Sequence, residues 1–191
     1  TSLEIPATVL TLGYGALAGC GSLTDLTLYS PNYKVVNGVI YNTNGTVLHS
    51  YLASNSNAYF MIPLNVEEIA PLAFAYLDNL LSKIISENIL VIGYEAFAYS
   101  TSLNSVYFRN DIGGLGNDIF KNTSATFTVY GPVMTGLGSL ETYCRESNIT
   151  YAAWTTESFF NTESINANTV MITGLSEAYD ESDTLVIPAN I

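Results

Sequence analysis

Three phenylalanines, Phe74, Phe97 and Phe120, stand 23 residues apart in turn. Ile69, Ile92 and Leu115 keep the same step, as do Ala73, Ala96 and Ile119; Leu80 and Leu103 follow the first two rings by six residues each. So many apolar positions in register mark an internal repeat. A period in the twenties implies stacked supersecondary units, each burying its apolar face against the next. A chain so constrained is expected to be a solenoid.

The units can be traced along the chain. The first runs from Leu3-Glu4-Ile5-Pro6 through Val9, Leu12-Gly13, Ala16-Leu17 and Cys20 to Leu23, Leu26 and Leu28. The last three fit L-x-x-L-x-L, the strand signature of leucine-rich repeats. Alternation then turns Leu26 and Leu28 inward and Asp25, Thr27 and Tyr29 outward. A second unit starts at Phe60-Met61-Ile62-Pro63, a third runs from Ile85 to Val106, and a fourth starts at Phe108 and reaches Val129. Four repeats, each with one short strand, are expected. Lys83 falls on the inward position held by Leu26 and Val106. A buried lysine is costly, so a local bulge, or an end that frees its stem, is expected there.

Between the first two units the period breaks: Leu28 to Ile62 is 34 residues. The insert holds Asn37-Gly38 and Asn44-Gly45, the favoured two-residue hairpin turns. They separate strand-like runs at Tyr33–Val36, Val39–Tyr41 and Thr46–Tyr51. A β-meander projecting from the solenoid at about 30–59 is expected. After Tyr130-Gly131-Pro132 the pattern predicts a helix over 139–147, with Leu140, Tyr143 and Cys144 on one face and Ser139 as N-cap. Ile149–Trp154 reads as a strand. An end cap of this kind covers the core and the strand edge that a solenoid exposes.

These residues resemble the BspA-type leucine-rich repeat, whose pattern runs roughly L-x-x-I-x-I-P-x-x-V-x-x-I-G-x-x-A-F-x-x-C-x-x-L. "LEIPATVLTLGYGALAGCGSL", "SLNSVYF" and "NILVIGYEAFAYSTSL" match it, over about residues 3–155 and again from Thr184. The meander is similar to a hairpin that such proteins carry. The resemblance implies an α/β-type leucine-rich repeat solenoid, right-handed, mostly strand and coil, with a helical C-terminal cap. It also implies a bacterial protein, at the cell surface or secreted. Residues 1–155 form the repeat domain in this reading. Residues 156–191 are a β-rich segment with a strand at Val170-Met171-Ile172 and a turn near Gly174. There "LVIPANI" at the end copies "LEIPATV" of the first unit, so a further array is expected to begin. The chain starts in mid-pattern without Met, which reads as a piece of a longer protein.

Composition narrows the function. With 17 acidic against 5 basic residues the formal charge is −12. Such a surface repels nucleic acid and anionic membrane, which need Lys and Arg to displace counterions. No apolar run approaches the ~18 residues of a membrane span. Cys20 and Cys144 lie at opposite ends of the array and are expected to be unjoined. With the single His49 they build no zinc cluster.

No catalytic constellation stands out, and neither a catalytic residue, a metal nor a cofactor is assigned. His49 has no matching Ser or Cys. Glu67-Glu68 read as a solvated face. Gly113-Gly114-Leu115-Gly116 lacks the Lys-Ser/Thr of a phosphate loop. Asp180, Glu181 and Asp183 do not follow a calcium-loop spacing and read as a solvated acidic loop. The N-x-S/T triplets at Asn44, Asn122 and Asn148 are those expected by chance in a chain rich in Asn, Ser and Thr.

The outward aromatic positions are the candidate binding set: Thr27, Tyr29, Tyr107, Arg109 and Tyr130, extended by the hairpin tyrosines. Tyrosine supplies contact area and a hydroxyl at small entropic cost. The same rings could equally cover neighbouring strands. Three functions follow: a non-catalytic adhesion module that binds a host or bacterial surface protein or a glycan, a passive surface spacer, or a carbohydrate-binding module attached to an enzyme.

Overall fold

A computed structural model describes residues 1–55, 59–85, 88–154, 160–166 and 169–175. The expected strands at 184–188 and the acidic triplet Asp180, Glu181 and Asp183 lie outside them.

The elements in chain order are β1 (Ser2–Ile5), β2 (Asp25–Leu28), β3 (Tyr33–Val36), β4 (Val39–Asn42), β5 (Val47–Tyr51), β6 (Tyr59–Met61), β7 (Glu68–Ile69), β8 (Ser82–Ile85), β9 (Val91–Ile92), β10 (Ser105–Phe108), β11 (Gly114–Leu115), β12 (Thr128–Pro132), α1 (Ser139–Glu146), β13 (Thr150–Trp154), β14 (Phe160–Asn166) and β15 (Thr169–Leu175). The described residues wind through six coils, opening at β1, β2, β6, β8, β10 and β12, where the period had suggested four. The front wall is a parallel sheet in the order β13-β12-β10-β8-β6; the back wall runs β11-β9-β7-β5-β4-β3. Each middle coil therefore has two strands, not one, and the result is a leucine-rich repeat solenoid.

A third set of rungs runs along the turn that carries the phenylalanines. Leu72, Phe74 and Tyr76 donate N–H to the carbonyls of Tyr94, Ala96 and Ala98 at 3.2, 2.7 and 3.0 Å. Glu95, Phe97 and Tyr99 repeat this onto Asn117, Ile119 and Lys121. The turn needs a left-handed residue twice per coil. Leu72, Glu95 and Asp118 hold φ of 59°, 51° and 55°; Tyr76, Tyr99 and Asn122 hold 60°, 61° and 54°. Non-glycine residues pay for that conformation, and the inter-coil hydrogen bonds hold them in it.

Inside the coils the rings stack. Phe74 and Phe97 are parallel within 1° at 4.9 Å, and Phe97 and Phe120 lie at 5.5 Å. Tyr51 and Tyr143, one further 23-residue step on either side, close the column at 5.4 and 6.2 Å. The glycines that follow β9 and β11 have a steric reason. A Cβ on Gly93 would sit 2.3 Å from the backbone N of Pro71, and one on Gly116 would sit 2.4 Å from the N of Tyr94. Gly13, in the first described coil, has nothing within 4 Å.

The meander does not project. It is the back wall of the second coil: β5 pairs in parallel with β7, while β4 and β3 add antiparallel strands beyond it. Burial explains this. Val39, Tyr41, Leu48 and Tyr51 enter the main core, whereas Ile40 and Leu52 enter a second core with Leu17 and Leu23. A three-stranded unit with apolar residues on both faces is more stable as a partition between cores than in water. The first turn has positive φ at both Asn37 (50°) and Gly38 (72°), but only Gly45 (80°) is left-handed in the second, which spans four residues.

Three further expectations change. The backbone at Lys83 pairs in unbroken register with Phe60 and Val106, without the expected bulge. Gly138, not Ser139, is the N-cap of α1 and makes no side-chain cap bond; Asp111, from the preceding coil, accepts from the N–H of Ser139 and of Leu140 at 2.8 Å each. Gly174 sits inside β15, paired with Asn161 of β14, and not in a turn. As expected, Leu140 and Cys144 are buried, and Cys20 and Cys144 are free thiols.

Candidate binding face

The front sheet sets equivalent residues side by side, ~4.8 Å apart. One row, in register, is Tyr59, Ser82, Ser105, Thr128, Thr150; the next is Met61, Ile84, Tyr107, Tyr130, Ala152. Between the described members of these rows, Val106, Phe108 and Val129 turn inward and are buried. None of the ten residues carries a charge, in a chain of strong acidic excess. Tyr107 and Tyr130 stack at 4.6 Å with 6° between ring planes, and both rings are half-buried. Arg109 lies just past β10 and is half-buried. Beyond β12 a loop presents Val133 and Met134, 65% and 45% exposed.

Thr27 and Tyr29 stand elsewhere. Among the described residues β2 pairs only with β1, as a separate two-stranded sheet, because the meander interrupts the stack between β2 and β6. Thr27 pairs in register with Glu4; Tyr29 follows the strand, 58% exposed, its N–H donating to the Ile5 carbonyl at 2.9 Å. The five residues therefore form two groups, Tyr107, Arg109 and Tyr130 in one and Thr27 and Tyr29 in the other, and not one sheet-wide patch. Met61, Thr150 and Ala152 complete the front rows. Stepping 23 residues back from Ile84, and 22 forward from Thr128 and Tyr130, would have found them in the sequence.

Two of the residues able to do chemistry, His49 and Cys144, are buried. His49 is 4% exposed. Its Nε2 donates to the Leu12 carbonyl at 3.1 Å, so in the neutral ring Nδ1 accepts from the Ser50 hydroxyl at 2.8 Å. The rings of Tyr33 and Tyr14 lie against it at 5.1 and 5.9 Å. Burial lowers its pKa, against a smaller upward effect of the Leu12 bond. Burial pushes the Cys144 thiol up to about 12, with Glu141 adding to it. Tyr41 and Tyr51 are likewise raised to about 12 by burial. Glu68 lies on β7 and Glu67 just before it, exposed. Within the run 113–116, Gly114 and Leu115 form β11. Among the described residues no group of three His, Cys, Asp or Glu could hold a metal, and no helix is long and apolar enough to cross a membrane.

The coil geometry, the A-F turn and the glycine-locked back wall define a leucine-rich repeat protein. The BspA type leucine rich repeat region matches in six copies, over residues 1–127 and 37–150, and the chain belongs to that family. Comparison with curated proteins finds no match. Among solved structures, a leucine-rich repeat protein from Eubacterium ventriosum is 25% identical, with a TM-score of 0.62 over 69% of this chain and 36% of that one. A leucine rich cell surface protein from Faecalibacterium prausnitzii is 24% identical, with a TM-score of 0.55 over 69% and 42%. The chain thus spans less than half the length of either.

Proposed function

We propose that this chain is a non-catalytic binding module of a bacterial cell-surface or secreted protein, which docks a partner protein on its front sheet. The observation that carries this reading is the front wall itself: two parallel rows without a charged residue, with the stacked Tyr107 and Tyr130 at their centre. Rigid aromatics amid hydroxyls supply anchors and adaptable hydrogen bonds. The family, and the cell-surface description of the relative from Faecalibacterium prausnitzii, support the location. The engagement of His49 and the burial of Cys144 favour a non-catalytic role.

The test is a protein and glycan array screen with the chain, followed by affinity measurements on Tyr107→Ala/Tyr130→Ala and on Thr27→Ala/Tyr29→Ala. The first pair should weaken binding at least tenfold and the second should change it little. Unchanged affinity in a folded Tyr107→Ala/Tyr130→Ala variant would move the site off the front sheet. A glycan hit, with no protein hit, would replace the partner class.

A further inference from the structure

Among the described residues the back wall ends in an unfinished rung. In successive coils the N–H of Ala70, Gly93 and Gly116 donates to the carbonyl of Leu48, Ile69 and Ile92, at 2.9, 2.8 and 2.8 Å. The next donor at the 23-residue step is Ser139, and the next acceptor is Leu115. Ser139 gives its N–H to the Asp111 carboxylate instead, and the chain turns into α1. Because Gly116 points its N–H toward β9, its neighbour Leu115 points its own N–H and carbonyl the other way. The outer edge of β11 therefore presents a donor and an acceptor at strand spacing.

That edge opens into a cleft of about 350 Å³ between β11 and α1. Leu115 and Leu137 line it, with the hydroxyl residues Ser139 and Thr142, and Glu146 is the one charged residue of the lining. Leu137 is 58% exposed. A Cβ on Gly113 would meet nothing within 4 Å, so the floor is open. An open sheet edge is a template for an added strand. The apolar leucines, the Glu146 carboxylate and the acidic chain select what that strand carries.

We infer that this cleft takes an extended basic peptide by strand addition to β11, with alternate apolar side chains against Leu115 and Leu137 and a Lys or Arg at Glu146. The site is separate from the front sheet and does not rest on the reading given for it.

The probe is the blocked pentapeptide acetyl-Lys-Val-Lys-Val-Lys-amide, titrated into the ¹⁵N-labelled full chain at low salt. Saturable shifts confined to Gly113–Leu115 and α1 are expected, with amide exchange at Leu115 slowed at least fivefold. Glu146→Gln should weaken binding severalfold. Gly113→Trp, which fills open space, should abolish it, while Tyr107→Ala/Tyr130→Ala leaves it intact. Absence of saturable shifts at β11 overturns the inference. So does equal binding by the backbone N-methylated peptide, which cannot complete the rung. Spermine producing the same shifts would reduce the site to simple charge attraction and overturn it as well.

Discussion

The carboxylate of Asp111 accepts the backbone N–H of Ser139 at 2.8 Å, across 28 residues of chain. Asp111 stands one step beyond Asn65 and Asn88, whose side-chain amides donate to the carbonyls of Gly45 and Leu64 at 2.7 and 2.6 Å. An asparagine donates to the coil behind it. An aspartate in the same column can only accept, and it takes the free N–H groups at the start of α1. One change of side chain within a repeated column thus marks where the repeat stops and the cap docks. Asp111→Ala should cost about 0.5–2 kcal/mol, the range for a lost helix cap, and Asp111→Asn less. Urea denaturation followed by circular dichroism reads the difference; wild-type stability in Asp111→Ala would show that the cap is held by its buried face alone.

Phe97 lies between two ring neighbours and is fully buried. Phe97→Ala should cost about 3–5 kcal/mol, as expected for deleting a buried ring. Phe120→Ala, at 3% exposure and nearer the cap, should cost no more than that. Equilibrium denaturation checks both, and a loss below ~1 kcal/mol at Phe97 would contradict the stacked column.

Gly93 and Gly13 hold the same place in different coils and should respond in opposite ways. Gly93→Ala drives a methyl into the backbone of Pro71, and should cost about 1–3 kcal/mol or more, as overpacking does. Gly13→Ala meets open space and should be neutral, or stabilising by a few tenths of a kcal/mol through the unfolded chain. Thermal melts of the two variants side by side decide it.

His49 joins the first coil to the meander, and its pKa in the fold is lowered by burial. Below its ordinary value of about 6.5 the unfolded chain binds a proton that the folded chain resists. The stability is complete above that pH and is lost progressively as the pH falls toward and through the folded pKa. Melting temperature should fall between pH 7 and 5. Replacing His49 by Gln should flatten that part of the profile, at some cost in stability at pH 7. An unchanged slope in His49→Gln would place the titration on the carboxylates.

The 23-residue step made the coil, the phenylalanine column and the inward valines legible, because neighbours in a solenoid are set by a fixed offset along the chain. Tyr51 and Tyr143 obeyed the same offset and were readable. The Asn-Gly turns marked the strands of the meander for an equally local reason. Where those strands went was not local. Whether β5 joins β7 depends on Val39, Leu48 and Tyr51 finding the main core while Ile40 and Leu52 find the other, and that partition exists only once both are assembled. It also decided the candidate site: Thr27 and Tyr107 hold the same outward position in the repeat, each one residue past the inward Leu26 and Val106, but the meander places them on different sheets. Asp111 could be read as a column position, yet not as a cap, since its partners are the unpaired amides of a helix brought there by Leu140 and Cys144. Periodicity determines which residues are equivalent; tertiary packing decides which equivalent residues meet, because burial and hydrogen-bond completion are settled by the whole stack and not by one coil.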